Sequence, residues 1–148
     1  MMLVEHILDT GRKRLAILGR SSLAEDAAKI LTNPSMPLVL VCDTDGIAVG
    51  LITRTDVLRV LANARGDAFA TRADALMNKC VFSCRADQPL QKVWEGMSAR
   101  SLRCAPVLDS DGRPLGVLHA RDVASALLEE VTNEELLLRD YVLGIGYQ

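Results

Sequence analysis

Gly50, Thr53 and Asp56 stand three residues apart, where a strand-like run passes into a helix-like run. A glycine without a Cβ lets a flat ligand approach the backbone closely at such a turn. The Thr53 hydroxyl and the free backbone N–H groups of a helix start can bind a phosphate. Asp56 follows one helical turn later, and a carboxylate can accept hydrogen bonds from two ribose hydroxyls at once. The spacing is therefore compatible with contacts to a phosphate and a sugar.

The same residues also have a purely structural explanation. Thr53 is a favourable N-cap residue, and the Asp56 carboxylate stabilises the positive end of a helix. The residues alone leave both explanations open.

The pattern occurs twice, because residues 41–57 and 107–123 align without a gap at an offset of 66 positions. Seven residues of the first copy are repeated in the second: Val41, Asp43, Asp45, Gly46, Gly50, Asp56 and Val57. A solenoid needs three or more copies to bury its faces, so two copies favour a pair of similar subdomains. We expect a ligand site at or near the cleft that the two copies share.

The second copy keeps only part of the pattern. Gly116 and Asp122 are present, but His119 stands at the position equivalent to Thr53. Arg121 directly precedes the aspartate, whereas the first copy has a threonine at that place. His119 is either a donor to phosphate or a helix-start residue, and both roles are open. We expect the half-site of the first copy to be the better one.

Each copy has the pattern strand, helix, strand, strand, helix. In the first copy, the predicted elements are a strand over 15–18, a helix capped by Ser21 or Ser22, strands over 37–41 and 48–52, and a helix over 53–63. In the second copy, they are a strand over 80–84, a helix capped by Asp87, strands over 104–108 and 115–118, and a helix over 120–130. Short helical lead-ins are predicted at residues 1–9 and 72–77.

These elements divide the chain into a first repeat (1–66), a second repeat (67–131) and a helical C-terminal appendage (132–148). The joint between the repeats is predicted near residues 65–71. The amphipathic appendage, at residues 133–142, is expected to pack on the body or on a partner.

Composition excludes several classes of protein. The 148 residues carry a formal net charge of -2, and neither half has the basic excess of a nucleic-acid binder. No apolar run is long enough to span a membrane, and the first residues do not resemble a signal peptide, so we expect a cytoplasmic protein. The four cysteines lack the spacing of a metal site and are expected to be small buried hydrophobes. Redox sensing at Cys80 and Cys84 is an alternative.

The segment from Gly50 to Asp56 resembles the motif of the cystathionine-β-synthase (CBS) domain, which has a glycine, two aliphatic residues, Thr or Ser, two free positions and Asp. Two such segments in tandem resemble a CBS pair, or Bateman module, and the likeness extends over essentially the whole chain. It implies an α+β fold in which two β-α-β-β-α repeats pack about a pseudo-two-fold axis. With no other domain in view, the chain resembles a stand-alone CBS pair.

The resemblance also implies a nucleotide site built by both repeats, in which Arg121 would contact phosphate. The residues that match the family's site are Thr10, Lys13, Arg14, Leu15, Met36, Pro37, Gly50, Ile52, Thr53, Asp56, Lys79, Cys80, Val81, Ala105, Pro106, Gly116, His119, Arg121 and Asp122. For the aliphatic members, simple core packing is the alternative.

The function implied is regulatory sensing of an adenine nucleotide (AMP, ADP, ATP or NAD) by a homodimer that passes a shape change to an unknown target protein. The alternative is a ligand-free scaffold that acts through its dimeric disc. No nucleophile–base pair is visible, so we expect neither an enzyme nor a catalytic cofactor. Nucleic-acid and membrane partners are not expected.

Overall fold

The computed structural model describes residues 1–63 and 66–143. The elements follow in this order: α1 (Leu8–Arg12), β1 (Ile17–Gly19), α2 (Ala24–Leu31), β2 (Val39–Cys42), β3 (Ala48–Ile52), α3 (Arg54–Asn63), α4 (Ala73–Leu76), α5 (Leu90–Ala99), β4 (Cys104–Leu108), β5 (Pro114–His119) and α6 (Ala120–Leu143). Short 3-10 helices cover Val4–Ile7 and Ala68–Ala70. The predicted α+β fold of two repeats is confirmed.

A three-stranded sheet forms the centre of the first repeat, in the order β1-β2-β3. β2 is parallel to β1 and antiparallel to β3. Alternate residues of a strand face opposite sides of its sheet. Val39 and Val41 of β2 accordingly pack with residues of α2 and α3, whereas Leu40 packs with Val117 of the second repeat. The central strand thus joins the core of its own repeat to the contact between repeats.

The second repeat has a two-stranded antiparallel sheet of β4 and β5, with Ala105 opposite Leu118. The predicted strand over residues 80–84 is wrong, because only Cys84 pairs with β4. The Cys84 N–H donates to the carbonyl oxygen of Pro106 at 2.9 Å, and the Leu108 N–H donates to Cys84 at 2.8 Å.

The missing strand has a local chemical reason. In the first repeat, the Leu40 N–H donates to the carbonyl oxygen of Ala16 at 2.9 Å. The residue equivalent to Leu40 is Pro106, which has no N–H to donate to the carbonyl of Phe82. The Cys80 thiol donates to that carbonyl instead, at 3.1 Å. One ladder bond is lost, and the segment does not continue as a strand.

Both predicted hairpin turns are confirmed, and both have the same construction. The Oδ1 atoms of Asp43 and Asp109 each accept backbone N–H groups two and four residues later, at 2.8–3.0 Å. Gly46 and Gly112 have φ values of +82° and +90°, which residues other than glycine rarely adopt. The aspartate and the glycine therefore hold each turn.

The two lead-in segments are exchanged between the repeats. The Val4 N–H donates to Gln88 at 3.0 Å, and Val4 and Leu8 are buried in the core of the second repeat. Conversely, the Ala73 N–H donates to Ser22 at 2.6 Å, and Ala73 is buried in the core of the first repeat. Each repeat is therefore completed by residues that precede the other one.

The exchange also explains why both predicted helix caps, a serine before α2 and Asp87 before α5, are wrong. The first N–H of α2, from Ala24, donates to Thr71 at 2.7 Å. The first N–H of α5, from Leu90, donates to Met2 at 2.8 Å. The lead-ins thus satisfy backbone groups that a side-chain cap would otherwise bind.

Helix α6 is longer than predicted. Its predicted end at Glu130 is wrong, because it continues as one helix to Leu143, and residues 131–143 are exposed rather than packed on the body. Within ranges 1–63 and 66–143, no helix combines the length and apolarity needed to cross a membrane. Arg65 of the predicted joint, and residues 144–148 of the predicted appendage, lie outside the described residues.

Burial accounts for the chemistry of the four cysteines, all of which are free thiols. Burial raises the pKa of Cys42, Cys80 and Cys104, and it raises the pKa of Cys84 to about 12. A thiol with a raised pKa is a weak nucleophile at neutral pH. These values favour the packing interpretation over redox sensing.

Candidate functional site

A cavity of about 690 Å³, here named the inter-repeat cleft, opens where the two repeats meet. Its walls are formed by Arg14, Pro34, Ser35, Pro37, Leu38, Leu51, Thr53, Arg54, Leu102, Arg103, Cys104, His119 and Arg121. Three pairs of these residues are related by the repeat offset: Pro37 and Arg103, Leu38 and Cys104, Thr53 and His119. Both repeats therefore contribute equivalent positions to a single cavity.

Two helices begin at this cleft. Thr53 directly precedes α3, and its hydroxyl donates to Asp56 Oδ2 at 2.9 Å. His119 directly precedes α6, and its Nδ1 accepts the backbone N–H of Arg121 at 3.0 Å. A histidine in the second repeat thus takes the capping position that a threonine has in the first. Both helix N-termini place positive partial charge near the cavity.

The surroundings of His119 favour its neutral form. Burial, followed by the guanidinium groups of Arg121, Arg14 and Arg103, lowers its pKa, while the carboxylate of Asp122 acts in the opposite direction. Because Nδ1 accepts a hydrogen bond, the proton of the neutral ring resides on Nε2. His119 therefore has one N–H donor available beyond its capping bond.

The lowered pKa predicts a stability change with pH. The unfolded chain binds the His119 proton more tightly than the folded protein, so stability falls as the pH drops below about 6.5. His119→Thr removes the titrating ring and restores the capping residue of the first repeat. In urea denaturation at pH 7 and pH 5.5, the variant should lose less stability on acidification than the unchanged protein. Equal losses would contradict this assignment.

Asp56 is buried, with 3% of its surface exposed, and its carboxylate is fully engaged. It accepts the Thr53 N–H at 2.8 Å, the Thr53 hydroxyl at 2.9 Å, Arg59 Nη1 at 3.2 Å and Asn78 Nδ2 at 2.6 Å. Asn78 directly follows the second lead-in (72–77), so this carboxylate also holds the segment that connects the two repeats. These contacts favour the capping explanation of Asp56, and its ribose contact stays a prediction.

Asp122, the equivalent residue, is engaged differently. Its Oδ2 forms an ion pair with Arg14 Nη1 at 2.6 Å and accepts no hydrogen bond from a described residue. No other partner of this oxygen occurs among the described residues. The ion pair again links a lead-in to a helix start of the other repeat. Because this oxygen is buried, only Asp122 Oδ1 is left to accept hydrogen bonds from a ligand.

Gly50 and Gly116 pack closely against other parts of the protein rather than facing open space. A Cβ on Gly50 would lie 2.5 Å from Met77 Sδ and 2.9 Å from the carbonyl oxygen of Asn78. A Cβ on Gly116 would lie 2.9 Å from the carbonyl carbon of Gly11. Close packing of the exchanged lead-ins therefore requires both glycines, without reference to a ligand.

The arginines of the cleft differ in how many of their N–H donors already have a partner in the protein. Arg54 donates to the carbonyl oxygens of Leu31, Asn33 and Met36 at 2.8–2.9 Å and fixes the loop between α2 and β2. Arg14 is held by the ion pair described above. The guanidinium groups of Arg103 and Arg121 have no hydrogen-bond or ion-pair partner within the described part of the chain, and both residues are exposed. Two guanidinium groups are therefore free to bind an anion.

The cleft brings together five of the predicted site residues: Arg14, Pro37, Thr53, His119 and Arg121. The others do not line it: Thr10, Lys13, Leu15, Met36, Gly50, Ile52, Asp56, Lys79, Cys80, Val81, Ala105, Pro106, Gly116 and Asp122. A nucleotide contact of any of these residues stays a prediction.

Sequence reasoning missed Arg54 and Arg103 in the cleft wall. Applying the offset of 66 positions to Pro37, a predicted site residue, leads directly to Arg103. Arg54 has no such signal, because its equivalent in the second repeat is Ala120. The internal repeat therefore indicates one of these two arginines.

Comparison with known proteins identifies the family. The family model of the CBS domain matches this chain twice, over residues 4–63 and 73–129. The chain belongs to the CBS-domain family. The two matched segments correspond to the two repeats, so the body of the molecule is a CBS pair.

Solved structures of CBS proteins share the fold. A CBS-domain-containing protein from Agrobacterium tumefaciens is 26% identical, with a TM-score of 0.70 over 84% of this chain and 98% of that one. The CBS domain pair of protein MJ0100, in complex with 5'-methylthioadenosine and S-adenosyl-L-methionine, is 24% identical, with a TM-score of 0.70 over 88% and 98% of the two chains. CBSX2 in complex with AMP is 22% identical, with a TM-score of 0.73 over 87% and 98%.

Curated relatives include homoserine O-acetyltransferase from Methanohalobium evestigatum, which is 26% identical over 125 residues. The match covers 84% of this chain and 24% of that enzyme. The chain therefore spans about a quarter of the length of the first curated relatives it matches.

Proposed function

We propose that this CBS pair is a regulatory module that binds an adenine nucleotide in the inter-repeat cleft and changes shape on binding. The observation that carries the proposal is the composition of the cleft wall. Apolar side chains of Leu38, Leu51 and Leu102 can hold a purine, and the unpaired guanidinium groups of Arg103 and Arg121 can hold phosphate. The adenosine-containing ligands of the CBS pairs of protein MJ0100 and CBSX2 support this choice of ligand.

The contacts favour a particular orientation of the nucleotide. Phosphate would bind at the start of α6, where His119 offers Nε2–H and Arg121 offers its guanidinium group. The ribose would then be near Asp122, which lies behind Arg14 of the cleft wall and has only Oδ1 left as an acceptor. Asp56 already accepts four hydrogen bonds. The second repeat, rather than the first, is therefore our proposed main half-site.

Arg14 provides a route by which binding changes shape. It follows α1, which packs on β5, and it pairs with Asp122 near the start of α6. A phosphate in the cleft would compete with Asp122 for the Arg14 guanidinium group. We propose that this exchange shifts α1 relative to α6.

Nucleotide binding predicts thermal stabilisation. A ligand that binds only the folded form stabilises it by about 2.7 kcal/mol at 100 times its Kd. For a chain of this size, the melting temperature should rise by about 5–10 °C. Differential scanning fluorimetry with AMP, ADP, ATP and NAD at millimolar concentration measures this shift. The absence of a shift with all four nucleotides would refute the proposed function.

The alternative role as a scaffold also has structural support. Leu58 and Leu61 on α3 and Leu128 on α6 are large apolar side chains that remain exposed, and residues 131–143 of α6 are exposed throughout. Such surfaces favour protein contacts. We therefore retain the proposal of a homodimer that presents α6 to a target protein, with a regulatory rather than a catalytic role.

A further inference from the structure

We infer that the inter-repeat cleft selects a ligand with two or more phosphate groups over a monophosphate, an uncharged nucleoside or a cationic adenosine derivative. The inference rests on the proposed nucleotide site and concerns its charge. Guanidinium groups of Arg14, Arg54, Arg103 and Arg121 line the cleft, and no carboxylate is among the described residues of its wall. Asp122, behind Arg14, is the nearest compensating charge we identify.

Three of the four arginines lie around the start of α6. The Ala120 N–H donates to the carbonyl oxygen of Arg103 at 2.7 Å, so the backbone of Arg103 adjoins the start of α6. Arg121 follows one residue later on that helix. Arg14 reaches the same helix start from the lead-in, through its contact with Asp122 at 2.6 Å. We name Arg14, Arg103 and Arg121 the arginine cluster.

The causes of the pKa shifts of two neighbouring groups agree with this arrangement. Arg121, Arg14 and Arg103 all act to lower the pKa of His119. The same three arginines act to lower the pKa of Cys104, although burial raises it overall. Cys104 and His119 are cross-strand partners in β4 and β5. The three arginines thus lie close to this end of the hairpin, where Asp122 is the opposing charge.

The arginine cluster differs from Arg54 in how many of its N–H donors remain available to a ligand. Arg54 uses its donors on three backbone carbonyls, which hold the group in place and do not neutralise it. Arg103 and Arg121 have no partner within the described residues, and Arg14 has only the Asp122 carboxylate. Each free guanidinium group can bind a phosphate through two parallel hydrogen bonds. One phosphate leaves much of the cluster unused, whereas a diphosphate or triphosphate can engage all three groups.

A cationic ligand, unlike a phosphate, should be repelled by the arginine cluster. A sulfonium group would add positive charge to a cleft that already has an excess of guanidinium groups, and like charges repel. An uncharged nucleoside avoids this repulsion but contacts only the apolar wall. The expected order of affinity is therefore ATP, ADP, AMP, adenosine and then S-adenosylmethionine.

Isothermal titration calorimetry with these five compounds, in the presence of a chelator of divalent cations, tests the inference. Each added phosphate should lower Kd by about tenfold, which corresponds to one additional charge-assisted hydrogen bond. Arg103→Gln and Arg121→Gln should each reduce the ratio of AMP to ATP dissociation constants by about tenfold and leave adenosine binding unchanged. Arg139→Gln, on the exposed end of α6, makes the same change of charge outside the cleft and should have no effect.

Sodium triphosphate distinguishes failure of the inference from failure of the proposed function. If AMP binds as tightly as ATP, or S-adenosylmethionine binds more tightly than AMP, the inference is overturned and the nucleotide function stands. If triphosphate binds and no adenine compound binds, the nucleotide function is overturned and the preference for polyphosphate stands. If none of the probes binds, both are overturned. The series on the unchanged protein decides between these outcomes even where a variant is unstable.

Discussion

Replacing Gly116 with alanine should lower the free energy of unfolding by about 2–3 kcal/mol, the upper part of the range of about 1–3 kcal/mol for an overpacked core. The new Cβ would lie 2.9 Å from the carbonyl carbon of Gly11 and 3.1 Å from the backbone nitrogen of Arg12. Because these neighbours are backbone atoms, the steric overlap can be relieved only if α1 moves away from β5. Urea denaturation should show the loss, and the melting temperature should fall by about 5–10 °C.

Gly19→Ala is the matched control for this substitution. A Cβ on Gly19 has its nearest neighbour, the Ser22 hydroxyl, at 4.0 Å, and Gly19 is exposed. Its stability should change by less than about 0.5 kcal/mol, as is usual for surface substitutions. If Gly116→Ala were as mild as Gly19→Ala, the close packing of α1 on β5 would be contradicted.

Asp56→Ala should lower the free energy of unfolding by about 3–4 kcal/mol. The change leaves the Thr53 N–H and the Asn78 amide without their buried acceptor, and unsatisfied buried donors cost about 1–3 kcal/mol each. Asp122→Ala removes one partly exposed ion pair with Arg14 and should cost about 1 kcal/mol or less. Urea denaturation of the two variants measures this contrast between equivalent positions.

Asp56→Asn provides the control, because an amide oxygen can still accept the Thr53 N–H at the helix start. It should retain more stability than the alanine variant. Nucleotide binding measured on folded Asp56→Asn then separates the two explanations of this residue. A capping role predicts a small change in Kd, whereas a direct ribose contact predicts a loss of tenfold or more. Equal stability of Asp56→Ala and Asp122→Ala would refute the capping role.

The repeat and most elements were predictable because their signals are local. Turn residues between apolar runs predicted both hairpins, and β3 and β4 were predicted with their observed bounds. The predicted strand over residues 80–84 is wrong because Pro106 lacks the backbone N–H that Leu40 donates in the first repeat. Comparing Pro106 with Leu40 at the repeat offset would have revealed it.

The candidate site was predictable only in part. The spacing of Thr53 and His119 located two helix starts, and these line the cleft. The role of Asp56 depends on Asn78, that of Gly50 on Met77, and that of Gly116 on the backbone of Gly11. Each of these partners is distant in sequence. Pattern analysis of one segment cannot identify a partner that is supplied by another.

The sequence by itself determined the family, the two-fold repeat, the hairpins and the start of each helix at the cleft, because each of these depends on residues within one short segment. The tertiary structure alone decided the exchange of the lead-ins, the engagement of Asp56 and the convergence of Arg14, Arg103 and Arg121. The physical reason is that burial and charge compensation depend on which surfaces meet. A carboxylate and a guanidinium group have the same sequence signal whether they are paired or free, and only the packed chain distinguishes the two states.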